Sequence, residues 1–472
     1  MTLWGEFATI TMKIIRKYKK MGDAVMSNLK VGFARVDVTP QMGTPIAGYF
    51  KERYAEAVLD ALEVNAVAID VNGKKVVMLS VDHCGLKIEA ITYFKGLIKE
   101  ATGLSEDCII ISVTHTHTGP ITEMDSKNVF VQKYVEFLGT RIRDCAMFAL
   151  NDLKDAKMGW KVGSAPNVAF VRRFRMKDGK VRTNPGIGNP DILAPIGDVD
   201  ERVNVLRFDR EGAQSIVIIN FGNHPDVVGG CKISADWPGF ARRILERSIP
   251  GVKSMFINGA QGDVNHVNVN ATLGELNDLE NDFDDVLRGY GHARHIGNVV
   301  AGAVMQVFDK VNYVDVDDLK VVEKTISVPS NMPDPKDMPL AHKYNDLHNA
   351  GKDEEIPFKA MELTTVVAEA GRMVRLENGP DHFDMKITGI ALGNIAFITI
   401  PGEGFTYIGR GLKEAKGWDL VLPCILTNGS YGYFPTQEAY DEGGYEARSS
   451  NFKAGVAELF VKEGTELLDS LR

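Results

Sequence analysis

Six short runs rich in Val, Ile and Leu each stop abruptly at a polar motif. They are KVVMLSV before DHCG, CIIISV before THTHTGP, SIVIINF before GNHPD, SMFIN before GAQGDVN, IAFITI before PGEG, and LVLPCIL before TNGSYGY. Runs of this length and composition read as buried strands rather than helices. Ligands collect at strand ends in α/β sheets, so the six motifs are the first place to look for chemistry.

Helical patterns alternate with the strands. Residues 88–103 are amphipathic and stop at Gly103, and residues 131–150 carry apolar side chains at spacings of three and four. In ADWPGFARRILERSI, Asp236 is placed as an N-cap with Pro238 in the first turn, and residues 292–311 form another long helix. The expected fold class is therefore α/β: a mixed, layered sheet-and-helix arrangement with the site at the C-terminal ends of strands. With no internal repeat and no Pro/Ser/Gly linker, one large domain over residues 29–472 is expected. Residues 1–28, ahead of the globular patterning that starts near Met26, read as a poorly ordered extension. The acidic stretch 276–285 and the polar stretch 333–355 read as surface excursions. The first lacks the spacing of an EF-hand loop, so a solvated face is favoured over calcium binding.

Composition narrows the partners. At 44% hydrophobic residues the chain can bury a large core, and a net charge of -9 argues against nucleic acid or an anionic membrane surface. No stretch approaches the ~20 apolar residues of a membrane span. The five cysteines, Cys84, Cys108, Cys145, Cys231 and Cys424, form no CxxC pair, and no secretory signal is evident. Both features lead to the expectation of a cytoplasmic protein acting on a small molecule or meeting a protein partner.

Two of the ten histidines, His115 and His117, lie in THTHTGP. In an extended segment they share one face, which suits either a metal pair or two hydrogen-bonded histidines beside a strand end. His224 in GNHPD and Glu403 in PGEG occupy equivalent strand-end positions. Two imidazoles and a carboxylate form a ligand set of zinc hydrolases, although a core histidine and a first-turn glutamate would leave the same traces. Tyr431, Tyr433, Tyr440 and Tyr445 crowd a Gly- and Pro-rich segment that fits neither helical nor strand periodicity; oxyanion donors and aromatic surface turns both fit. Arg172 and Arg173 could meet a substrate carbonyl or carboxylate, or lie on a solvated hairpin. Asp82, Asp236 and Asp263 also sit at strand ends, each with an ordinary capping or turn explanation.

The order of VGFARVDVTPQMGTPIAGY, THTHTGP, NHPD with SADWPGFA, NGAQGDVN, PGEGF and GYFPTQEAYDEGGYE resembles the catalytic domain of the neutral/alkaline, non-lysosomal ceramidase family, from about residue 29 onward. The resemblance implies a Zn2+-dependent amidohydrolase that cleaves an N-acyl amide of the N-acylsphingosine type with metal-activated water. It implies His115, His224, Glu403 and Tyr433 as metal ligands, and His117 and Tyr445 as active-site groups near the metal. An arginine also belongs to that site, with Arg173 the better match and Arg172 second. The chain departs from the family at Asn265, which stands where the ceramidases carry serine and removes a serine nucleophile. The reading also expects no counterpart of their export signal or of their C-terminal β-sandwich domain. These departures keep two other readings in view: a cytosolic amidase or esterase for a small polar substrate, and a noncatalytic binding protein on the same fold.

Overall fold

The computed structural model describes residues 29–272 and 289–472. The extension 1–28 and the acidic stretch 276–285 therefore lie outside the described residues. The first sheet contains, in chain order, β1 (Leu29–Asp37), β2 (Glu63–Val71), β3 (Lys74–Val81), β4 (Ile109–Val113), β5 (Lys154–Ser164), β6 (Arg202–Arg210), β7 (Ser215–Phe221), β8 (Val252–Asn258) and β9 (Asn312–Val314). Its spatial order is β8-β7-β6-β5-β1-β2-β3-β4, with β9 also paired to β5. The second sheet places β10 (Leu319–Pro329), β11 (His382–Leu392), β12 (Ile395–Ile400) and β13 (Leu420–Ile425) side by side in that order.

Most neighbouring strands are antiparallel. The exceptions among the strands of these two sheets are β3 with β4, β7 with β8 and β12 with β13, and these are the six apolar runs. A parallel pair brings both C-terminal ends to one edge, so each pair delivers two polar motifs together. The ends of β4 and β13 then meet across the two sheets. Ser112 Oγ lies 2.8 Å from Thr427 Oγ1, and the Ile111 amide donates to Asn428 Oδ1 at 3.0 Å.

Side-chain alternation builds four layers. On β7, Val217, Ile219 and Phe221 face α3 (Asp236–Ser248) and α4 (Tyr290–Phe308), while Ile216 and Ile218 face Ile390, Phe397 and Leu422 of the second sheet. Helices α1 (Ile88–Thr102) and α2 (Val129–Asn151) cover the same side further along. Asn220 is buried between the sheets and stays satisfied: its Nδ2 donates to Ile257 O at 3.1 Å and Pro423 O at 2.9 Å, tying β7 to both β8 and β13. The polar excursion is folded rather than loose. Within it α5 (Met338–Asn349) packs Met338 and Ala341 against Ala370 and Met373 of α6 (Ala360–Leu376). Helices α7 (Thr406–Lys413) and, after α8 (Gln437–Glu442) and α9 (Tyr445–Ser449), α10 (Val456–Ser470) close the outer face of the second sheet.

Helix α1 ends at Gly103 in the left-handed region (φ 73°), as its sequence requires. The start of α3 differs from expectation. Ala235 holds the N-cap position, while Asp236 opens the helix at φ 54° and is fully buried. Its Oδ1 accepts from the Trp237 amide at 2.6 Å, and its Oδ2 accepts from the amides of Val227 and Val228 at 2.9 and 2.8 Å. The carboxylate thus fastens the loop after His224 to the helix. No helix among the described residues is long and apolar enough to cross a membrane.

Candidate metal centre

Beyond Val113 the chain does not continue as an extended strand. His115 adopts φ 74°, a left-handed conformation that costs a β-carbon-bearing residue about 1–2 kcal/mol. Its amide donates to His83 O at 2.8 Å, and its Nδ1 lies 2.5 Å from Cys84 O. A carbonyl only accepts, so Nδ1 carries the hydrogen and Nε2 faces inward. His224 repeats the device, with Nδ1 3.4 Å from Gln261 O. The two Nε2 atoms end 3.1 Å apart.

Glu403 completes a triangle. Its Oε2 lies 3.4 Å from His115 Nε2 and 3.5 Å from His224 Nε2. These three ligand atoms all lie within 4.8 Å of one another and belong to buried residues. Ligand atoms about 2.0–2.1 Å from a tetrahedral ion are about 3.3 Å apart, which matches the triangle. Outer carbonyls fixing the two imidazole rings are also the usual support of histidine ligands. The donor set therefore fits a zinc-like cation. The backbone approach is close: a β-carbon on Gly262 would fall 2.4 Å from Glu403 O, so glycine is required beside this ligand.

Electrostatics prepare the triangle for positive charge. Burial disfavours charging His115, but the carboxylate of Glu403 and the nearby Cys84 outweigh it and hold the imidazole pKa well above its usual value. Burial, Arg172 and His115 together push His224 well below. For Glu403, burial works upward, yet His115 and Arg172 keep the carboxyl below its ordinary range.

The tyrosines arrive through the strand pair that holds Glu403. Glu403 and Gly404 pair in parallel with Tyr433 and Phe434, which sets Tyr433 beside the carboxylate, and the Tyr445 ring meets Tyr433 edge-on at 5.6 Å. Burial and Glu403 raise both phenols, so each remains an O–H donor near neutrality. Arg172 opposes that rise: its guanidinium lies 5.1 Å from the Tyr433 ring and hydrogen-bonds the phenol, while Nε pairs with Glu446 at 2.7 Å. Helix α9, which begins at Tyr445, is braced from behind by α6. Arg448 Nε donates to Glu369 at 3.0 Å, and Arg372 Nε donates to Arg448 O at 3.0 Å.

No protein-family model matches the chain, and no curated protein matches it in sequence. Comparison of folds does find relatives. The neutral ceramidase from Pseudomonas aeruginosa superposes with a TM-score of 0.71 at 16% identity, over 94% of this chain and 74% of that one. A structure described as ceramidase complexed with C2 gives 0.70 at 16% identity, over 94% and 75%. The chain has a neutral ceramidase-like fold.

Within that ceramidase-like fold the sequence candidates divide. His115, His117, His224, Glu403, Tyr433 and Tyr445 come together. Of the two arginines, Arg172 rather than Arg173 reaches the tyrosines: Arg172 lies in the break between strands Phe170–Val171 and Arg173–Met176, and Arg173 turns to Glu442 at 3.2 Å and Gly443 O at 3.1 Å. Asn265 is buried, but its carboxamide is committed to Asn184 Oδ1 at 2.8 Å and to the Val267 amide at 2.9 Å. Tyr440 donates to Ser450 and Phe452 O, and Tyr431 packs on Phe383, so neither belongs to the cluster. Asp82 pairs with Arg242, and Asp263 accepts from the Thr406 amide at 2.7 Å, capping the start of α7. Sequence reading missed Asp226, next but one to His224, whose Oδ1 lies 3.4 Å from His117 Nδ1. The only trace of it in the sequence is the acidic residue closing GNHPD.

Proposed function

We propose that this protein is a zinc-dependent hydrolase of N-acyl amides, of the ceramidase type. The observation that carries the reading is the buried triangle of His115 Nε2, His224 Nε2 and Glu403 Oε2, with edges of 3.1, 3.4 and 3.5 Å. Tyr433, beside Glu403, is the proposed fourth ligand. A zinc ion there would supply Lewis acidity and acidify a water toward pKa ~7.

The protein groups then have distinct tasks. His117 Nε2 lies 3.2 Å from His115 Nε2, within reach of anything bound at the triangle, and imidazole is the side chain suited to carry a proton to a leaving amine. Tyr445, kept protonated by its surroundings, donates to the oxyanion that forms at the amide carbonyl, an interaction worth about 3 kcal/mol. Arg172 holds the Tyr433 phenol and anchors to Gly262 O at 2.6 Å, the glycine that packs on the Glu403 backbone. Asn265 cannot attack a carbonyl, and its amide is already spent on Asn184 and Val267, so water rather than a side chain is the nucleophile.

The test is mass-spectrometric detection of sphingoid base released from N-acylsphingosine by zinc-loaded protein, with a chelated control. Release abolished by chelation supports the reading. Absence of release from fully loaded protein would refute ceramide as the substrate and direct the search to soluble amides and esters.

A further inference from the structure

We propose that Asp226, held by the Tyr49 phenol, is a positioning residue that fixes the ring of His117 with Nε2 turned to the ligand triangle. The inference rests on the proposed hydrolase reading only for the purpose of the ring, not for its geometry.

A single hairpin-like strap, residues 44–55, supplies two contacts to this imidazole, from Gly48 and the Tyr49 ring, and braces its backbone and Asp226 through Arg53 and the Tyr49 phenol. The strap is closed by Pro45 opposite Tyr54 and joined to the His117 segment through Ile46 opposite Pro120. Tyr49 donates its phenol to Asp226 Oδ1 at 2.6 Å, and its ring stands 5.6 Å from that of His117. The same Asp226 oxygen lies 3.4 Å from His117 Nδ1. Arg53 stacks its guanidinium 4.0 Å from the centre of the Tyr49 ring and donates to His117 O at 2.7 Å, Gly230 O at 2.6 Å and Ala47 O at 2.5 Å. Gly48 lies against the ring itself: a β-carbon there would fall 2.8 Å from His117 Cγ and Nδ1, and its φ of 104° disfavours any other residue.

The chemistry of the arrangement is directional. A carboxylate oxygen can only accept, so Asp226 selects the Nδ1–H tautomer of His117 and leaves the Nε2 lone pair facing the triangle. The carbonyls of Cys84 and Gln261 do the same for His115 and His224. Three imidazoles thus share one tautomer, but His117 alone has a carboxylate behind it. His117 is not part of the His115, His224 and Glu403 triangle; it groups instead with His115 and Cys84, whose ligand atoms also lie within 4.8 Å of one another, and in the proposed reading its oriented lone pair meets a molecule bound at the triangle. Tyr49, itself stacked on Arg53, in turn keeps Asp226 from rotating away.

The experiment uses full-length, zinc-loaded protein with 15N-labelled histidine. Long-range 1H–15N spectra report the tautomer of each ring, metal analysis reports zinc content, and steady-state kinetics follow N-acylsphingosine hydrolysis. In Asp226→Ala, and more mildly in Tyr49→Phe, the His117 resonances should move toward a tautomer mixture while the zinc-bound pair of His115 and His224 keeps its signals and zinc stays at one per chain. kcat should fall about 10–100-fold with KM changed less than about twofold, and Asp226→Glu should recover part of the loss. An unaltered His117 tautomer in folded Asp226→Ala would overturn the proposal, as would loss of zinc in step with the tautomer change. If the wild-type protein hydrolyses no N-acyl amide, the substrate reading fails, and the tautomer shift alone still decides the role of Asp226.

Discussion

Replacing Arg242 by methionine tests whether the support beneath the site is electrostatic. Arg242 and Asp82 are both fully buried and form a two-pronged pair, Nη1 to Oδ1 at 3.0 Å and Nη2 to Oδ2 at 2.6 Å, with Glu63 at 3.1 Å. Asp82 directly follows β3 and leads into His83 and Cys84, whose carbonyls hold His115. Arg242→Met keeps the bulk of the side chain but leaves Asp82 as an uncompensated buried charge, at a cost of about 3–5 kcal/mol. Unfolding entropy near 2.1 cal/mol/K per residue gives a chain of this length about 1 kcal/mol/K, so Tm should drop by about 3–5 °C in scanning calorimetry. The double variant Asp82→Leu/Arg242→Met should regain most of that loss, since a buried pair replaced as a unit is close to neutral. A drop below about 1 °C in the single variant, or a double variant no better than the single, would refute the reasoning.

In the proposed reading, zinc competes with a proton for His115, whose pKa is raised. Because the folded pKa of that imidazole is raised, its ion pair with Glu403 stabilises the metal-free fold fully below about pH 6.5 and is lost as pH rises through the raised value. Zinc affinity should therefore increase with pH, and calorimetric titration in two buffers near pH 7 should count about one proton released per zinc; none released would contradict the assignment. Tyr445→Phe removes only a hydroxyl and should lower kcat about 100-fold with zinc content unchanged, whereas equal kcat would remove Tyr445 from the reaction. Gly262→Ala should displace the Glu403 backbone and weaken zinc affinity at least tenfold by competition with a chromophoric chelator, because the added carbon would sit 2.4 Å from a carbonyl oxygen.

Strand character and site position could be read from the sequence where both faces of a strand are buried. The six apolar runs appear as β3, β4, β7, β8, β12 and β13 with ends shifted by at most two residues, because uniform apolar composition leaves little ambiguity. Strands such as β1, LKVGFARVD, and β10, LKVVEKTISVP, mix charged and apolar residues and give no comparable signal. His115, His224 and Glu403 follow strands of three different parallel pairs, and their convergence depends on how the ends of those pairs meet in the folded chain, which sequence spacing does not reveal. Local conformation was harder. An HxH pair reads as extended, yet His115 is left-handed, and Asp236 reads as a helix cap, yet its carboxylate serves the Val227–Val228 loop across a turn. In both cases a tertiary hydrogen bond overrides the local preference, and only the folded chain supplies the partner. The choice between Arg172 and Arg173 likewise depends on the break between two short strands, Phe170–Val171 and Arg173–Met176, which puts Arg172 toward Tyr433.

The claim on which the functional reading stands is that His115, His224 and Glu403 hold one cation. Crystals of zinc-loaded protein, with diffraction data collected above and below the zinc absorption edge, test it directly. The account predicts a single anomalous peak enclosed by His115 Nε2, His224 Nε2 and Glu403 Oε2, and its loss in His224→Ala. A zinc-loaded crystal with no peak at that triangle, or with the ion bound elsewhere, would contradict it.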